Sequence, residues 1–229
     1  MRRGVSRLNE NLRENSRNVR ISTERELSRA TTYGLLSRLY DAPPSSELLR
    51  NLNELGFLEF DESKGNYTVD GELFDRERLE VEFTRLFLGP GQHVSPFASV
   101  YRKDDARRGE LWGYTTGEIK RFMEHYGLSL NNPGAIPDHI AILFEFMERV
   151  IRAKLELCTS AVVVTDREAT IQQAEQVERT FFNSYLGEWT GELLDALEKA
   201  TSEAFYRTLV KHTRRFLADE REYLRTSRQ

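Results

Sequence analysis

The sequence predicts an all-α protein, a single-domain helical bundle, on three observations. After Pro137-Asp138, the residues Ile140, Leu143, Phe144, Met147 and Ile151 recur at helical spacing. Ala141, Ile142, Phe146 and Val150 extend that apolar surface almost all the way round, as in a helix at the centre of a bundle. Several further windows keep the helical period, and the chain has no internal repeat or low-complexity tract.

The elements follow in order. Residues 1–21 are polar, rich in Arg and Asn and without apolar periodicity, which predicts a disordered or frayed arm. The helical domain is expected over 22–229. Thr23 and Glu26 have capping-box spacing, and Leu27, Ala30, Tyr33, Leu35, Leu36, Leu39 and Tyr40 run to the Asp41-Ala42-Pro43-Pro44 stop. Ser45 and Ser46 can cap a helix through Leu48, Leu49, Leu52 and Leu55 that ends at Gly56, after which a polar stretch holds Gly65 and Gly71. Residues 72–88 mix strand alternation with helical spacing, and their length without Gly or Pro favours helix.

Gly89-Pro90-Gly91 ends that segment, and Gln92 to Tyr101, with Pro96 inside, reads as an extended surface loop. The charged run Arg102 to Glu110 reads as a solvated turn. Thr115 or Thr116 starts a helix through Ile119, Phe122, Met123 and Tyr126, closed by Gly127. Pro137 bars helix from upstream, so the central helix is expected to start at Asp138, a good N-cap. About 156–176 reads as a variable connection or hinge, and helical signal returns from Phe181 through Leu217.

Lys+Arg 33 against Asp+Glu 37 gives a net charge of -4, which disfavours a broad nucleic-acid footprint and suits a basic peptide partner. The only cysteine, Cys158, excludes an intramolecular disulfide and fits a reducing compartment, so a cytoplasmic location is expected. Arg2-Arg3 lacks the apolar region of an export signal, since Arg7, Glu10, Arg13, Glu14 and Arg17 follow. No stretch approaches the roughly 18 to 20 apolar residues of a membrane span.

Catalytic signatures are missing. There is no phosphate-cradling G-x-x-x-x-G-K-[ST], and His93, His125, His139 and His212 are scattered without metal-ligand spacing. Asp138 and His139 are adjacent, so on a helix they would point about 100° apart and form no orienting pair. No enzyme activity, cofactor or metal is expected. Two alternatives stand beside a binding bundle: a helical DNA-binding regulator, prompted by the basic arm, and a small-molecule hydrolase using Asp138 and His139. Residue by residue, Asp138 serves equally as a plain N-cap, His139 as a half-buried polar group, and Phe83, Phe87, Phe97 and Trp112 as core.

Three ordered stretches carry a resemblance: Phe83-Thr84-Arg85-Leu86-Phe87-Leu88-Gly89-Pro90, Ser95-Pro96-Phe97-Ala98-Ser99-Val100-Tyr101, and Pro137-Asp138-His139 opening the apolar helix with Glu145-Phe146-Met147. Together they resemble the TorD/DmsD/NarJ family of redox-enzyme (molybdoenzyme) maturation chaperones, over about residues 24–224. Leu111-Trp112-Gly113 with Thr115-Thr116, and Phe181-Phe182 through Phe205-Tyr206, agree with further family segments. The resemblance implies a non-catalytic all-helical chaperone. Its partner would be the apo catalytic subunit of a molybdopterin oxidoreductase, engaged through a twin-arginine signal peptide and held until cofactor is inserted before export.

The same resemblance places peptide-binding positions at Phe83, Leu86, Pro96, Phe97, Gly113, Asp138 and His139. Phe83, Leu86 and Phe97 would wall the apolar part of the peptide, and Pro96 would fix the loop. Gly113 would let backbones approach, Asp138 would face a peptide Arg or Lys, and His139 would hydrogen-bond at the rim. Gly134-Ala135-Ile136 stand where relatives carry a further acid. The family also implies either a monomer or a dimer that exchanges helices across 156–176.

Overall fold

The computed structural model describes residues 2–61, 65–89, 93–102, 112–130, 132, 134–159 and 166–226, with side chains described from 22 onward. The chain is mostly helical, as the sequence predicts. Helix α6, Ile140–Thr159, lies at the centre and packs against α1, Arg2–Asp41, and α7, Arg167–Phe181. Its Leu143, Phe144, Met147 and Ile151 are fully buried. Phe144 sits 6.1 Å from the Tyr33 ring and 5.7 Å from Tyr40, both on α1.

Helix α1 continues without a break through Thr23 and Glu26, so the expected capping box is not used. Its bounds also take in the stretch read as a frayed arm. Helix α2, Ser46–Glu54, follows the Pro43-Pro44 stop and is capped by Ser45, whose side chain accepts the Leu48 N–H.

A small antiparallel sheet in the order β1-β2-β3 interrupts the helices: β1, Glu59–Asp61, β2, Asn66–Val69, and β3, Glu72–Phe74. Asp70 (φ 50°) and Gly71 (φ 81°) turn β2 into β3, the pair of positive φ angles that a tight two-residue hairpin needs. Phe60, Tyr67 and Phe74 stand opposite one another across the strands, and Phe74 packs on Phe205 at 5.5 Å. That contact anchors the sheet to the C-terminal helices.

The ambiguous 72–88 segment therefore divides. Its start is β3, Asp75 caps α3, Arg76–Phe83, and one π-helical turn, Thr84–Leu88, completes it. The extended chain that follows is not laid over the surface, because Val94, Pro96, Ala98 and Ser99 are buried and Ala98–Tyr101 forms a single helical turn, α4. Arg102 is buried too, and the rest of the charged run, 103–110, lies outside the described residues.

Helix α5, Tyr114–His125, leads through Gly127 (φ 76°) to a loop before α6. Most of the stretch read as a connection, 156–176, is helix, because α6 runs to Thr159 and α7 begins at Arg167; 160–165 lie outside the described residues. A π-helical turn, Phe182–Leu186, then precedes α8, Thr190–Ala200, and α9, Ala204–Thr226.

A buried ionic cluster joins four of these helices. Arg29 of α1 donates to Glu220 of α9 (2.7 Å), to Glu26 (2.7 Å) and to Glu178 of α7 (2.9 Å). Lys154 of α6 lies 2.9 Å from Glu26 and 2.6 Å from Glu178. The Tyr223 hydroxyl also donates to Glu26. Charges this deep persist only when paired, so the cluster fixes how α1, α6, α7 and α9 meet.

Candidate functional site

Pro137 keeps helix from reaching back before α6, and the short extended stretch that results pairs with the loop before α4. Phe97 and His139 form an isolated antiparallel bridge: Ala98 N–H donates to the Asp138 carbonyl at 3.0 Å, and Ile140 N–H donates to the Pro96 carbonyl at 2.9 Å. Two loops far apart in sequence thus become one short ribbon at the mouth of the core.

Asp138 is fully buried beneath this ribbon. Its carboxylate accepts the Ser99 backbone N–H at 2.8 Å, at the first turn of α4, and the Thr116 hydroxyl at 3.0 Å, in the first turn of α5. Asp138 does not cap its own helix. The cap is His139, whose Nδ1 accepts the Ala141 N–H at 3.2 Å while its carbonyl accepts from Ile142 and Leu143. With Nδ1 occupied as an acceptor, neutral His139 carries its proton on Nε2. Burial holds the His139 pKa below the ordinary histidine value, and the negative charges of Asp41 and Asp138 oppose that shift.

The structure brings Pro96, Phe97, Asp138 and His139 together. The Phe97 ring meets the His139 ring edge-on at 5.1 Å. Gly113 lies at the start of α5, ahead of Thr116, with φ -77°, a conformation open to any residue. Phe83 and Leu86 are core residues, 2 % and 1 % exposed. The Leu86 carbonyl accepts the Val94 N–H at 2.7 Å, two residues ahead of Pro96 on the chain that leads into the ribbon. Pro96, Phe97, Asp138 and His139 therefore form the frame of the candidate site, whereas Phe83 packs on Phe87 at 4.8 Å in the core. The Asp138 carboxylate, which the family resemblance would set facing a peptide Arg or Lys, instead accepts from Ser99 and Thr116 inside the protein.

The accessible surface lies next to that frame. A cleft of about 270 Å³ is floored by Met123, Leu128, Leu130, Ile142 and Phe146, and edged by Asp41, Glu145 and Arg149. A smaller hollow of about 150 Å³ shares Met123, Leu128 and Leu130 with it and is completed by Trp112, Lys120 and Pro137. Trp112 is 56 % exposed and has φ 63°, an uncommon conformation for a residue other than glycine.

Asp41 is the edge residue that sequence reasoning missed, where it was only part of a helix stop. It is the last residue of α1, where the helix dipole disfavours negative charge. Among the described residues no cation is ion-paired with it, whereas Glu145 pairs with Arg149 at 2.6 Å. An acid standing at the end of a helix beside an apolar floor was the available signal. The cleft offers an apolar floor with carboxylates at its edge, chemistry complementary to cationic and apolar side chains.

This helical bundle is of the redox-enzyme maturation chaperone type. The nitrate reductase delta subunit family model matches residues 47–195, and the chain belongs to that family, a family of molybdoenzyme maturation chaperones. No curated protein matches the chain in sequence. Among the described residues, no helix is long and apolar enough to cross a membrane, and no three His, Cys, Asp or Glu side chains converge on a metal position.

Proposed function

We propose that the protein is a cytoplasmic, non-catalytic chaperone that binds the apo catalytic subunit of a molybdopterin oxidoreductase and assists its assembly until cofactor is inserted. The observation that carries this reading is the apolar cleft edged by Asp41 and Glu145 beside the Pro96–His139 ribbon. A twin-arginine signal peptide offers the complementary chemistry, a basic segment followed by an apolar one. Asp41 would take one of its arginines, Glu145 would take another by exchanging its exposed pair with Arg149, and Leu128, Ile142 and Phe146 would take its apolar side chains. Asp138, Pro96 and Phe97 would act by holding the edge of the cleft in place. The Asp138-His139 pair does not support hydrolysis, because Asp138 is hydrogen-bonded to Ser99 and Thr116 while His139 caps α6.

The test is copurification from the native host with tagged wild type and with the Asp41→Asn, Glu145→Gln double variant, partners being identified by mass spectrometry. A molybdopterin-enzyme catalytic subunit recovered with the wild type and lost with the variant is the expected result. Equal recovery with both would move the binding site elsewhere, and its absence from both would remove the proposed client.

A further inference from the structure

The first half of α1 has no part in the function proposed above, yet its composition is distinctive. Residues 1–21 hold six arginines and two glutamates, a charge of +4, so the rest of the chain carries -8 of the net -4. Arg2-Arg3 opens the segment, and Val5, Leu8, Leu12 and Val19 follow. Because α1 runs unbroken from Arg2 to Asp41, these apolar positions fall on the same seven-residue phase as Glu26, Arg29, Tyr33, Leu36 and Tyr40, all of them buried in the body. The periodicity missing from the segment alone appears once it is part of one long helix. The arm has no continuous apolar region, but as a helix it would set Val5, Leu8, Leu12 and Val19 in one stripe among six arginines, the cationic and apolar chemistry proposed above for the Asp41–Glu145 cleft.

Geometry decides which cleft it can reach. Asp41, on the edge of the cleft, is the last residue of the same 40-residue helix. At about 1.5 Å of rise per residue, Arg2 and Arg3 lie roughly 60 Å from it along the axis. An unbroken helix of this length cannot bring its start to its own end. Resting on the peptide-binding reading above, we propose that residues 2–21 of one copy occupy the cleft of a second copy. They would act as a built-in pseudo-ligand that a client signal peptide must displace. The excess of negative charge on the body favours this docking over pairing of two arms, each of which carries the same positive charge.

The experiment compares full-length wild type with two full-length variants: Arg2→Gln, Arg3→Gln in the arm, and Asp41→Asn, Glu145→Gln in the cleft. Sedimentation velocity is run over a range of protein concentrations, and binding of a synthetic twin-arginine signal peptide is measured by fluorescence anisotropy. The wild type is expected to self-associate as concentration rises, and both variants to do so less. Once about two thirds of the wild-type clefts are filled, the arm variant should bind the peptide about threefold more tightly than wild type, because self-occupancy lowers the competent fraction.

A wild type that stays monomeric but binds the peptide overturns the pseudo-ligand and leaves the peptide cleft standing. An arm variant that binds peptide no more tightly, or self-association undiminished in the cleft variant, also overturns the pseudo-ligand; the latter would show that the arms pair with each other. If the arm variant, with its cleft unblocked, fails to bind any signal peptide, the peptide-binding reading itself is lost.

Discussion

The Asp138 carboxylate accepts the backbone N–H of Ser99 at 2.8 Å, from a residue 39 positions earlier in the chain. With Thr116 on its other oxygen, it ties the starts of α4, α5 and α6 into one junction. Asp138→Ala would leave a buried N–H and a buried hydroxyl without this acceptor, at a cost of about 2–3 kcal/mol. For a chain of this length that is a fall of roughly 5–10 °C in Tm, read by circular dichroism. Asp138→Asn keeps an oxygen for Ser99 and an amide for Thr116, so its loss should be smaller. A variant Asp138→Ala that melts like wild type but loses peptide affinity would return the residue to direct recognition.

The buried ionic cluster predicts an asymmetry between breaking a pair and replacing it. Lys154→Met leaves Glu26 and Glu178 facing one cation fewer in the interior and should cost about 3–5 kcal/mol in urea unfolding. Adding Glu178→Leu removes part of the stranded charge. The double variant should therefore be more stable than Lys154→Met alone, with the midpoint moving back toward wild type. If both variants unfold at the wild-type midpoint, the cluster does not hold α1, α6, α7 and α9 together.

His139 makes stability depend on pH in a definite direction. Its folded pKa lies below the ordinary value because burial disfavours the charged ring. Well above about pH 6.5, the ordinary histidine value, neither state is protonated and the full stability is present. As pH falls below that value the unfolded chain takes up its proton first, and stability is lost until the folded ring also protonates. His139→Asn keeps a side-chain oxygen able to cap α6 but does not titrate. Its Tm should fall less than that of wild type between about pH 7 and pH 5; parallel curves would show that the ring contributes nothing.

The bundle was legible because a helical period survives in the sequence wherever one face is buried, as in Ile140 to Ile151. The sheet was not, because strands of three and four residues are too short to display alternation, although Asp70-Gly71 marked its second turn. The site was half legible. The family stretches located the Pro96–His139 ribbon, but Asp138 finds its partners on two other helices, and no local pattern reports that. Glu26 reads in the sequence as half of a capping box, and nothing local marks Arg29, Lys154, Glu178 or Glu220 as buried. Only the packing of α1 against α6, α7 and α9 makes them a cluster. Asp41 escaped notice for the same reason, since its value lies in the floor of Leu128, Ile142 and Phe146 brought beside it.

Asp41 is where stability and binding should move in opposite directions. Its carboxylate sits at the negative end of the α1 dipole and has no ion-paired cation among the described residues. Neutralising it with Asp41→Asn removes an unfavourable charge–dipole contact, so Tm should stay constant or rise slightly. The same substitution takes away the acceptor proposed for a peptide arginine. A charge-assisted hydrogen bond of about 1.5 kcal/mol corresponds to roughly a tenfold weaker Kd for a twin-arginine peptide. Because the contact lies on an exposed edge, added salt should weaken wild-type binding more than that of the variant. A folding defect would lower Tm and affinity together, whereas loss of recognition lowers affinity alone. If Asp41→Asn binds the peptide as wild type does, in low and high salt alike, the arginines dock elsewhere and the acidic edge of the cleft has no part in recognition.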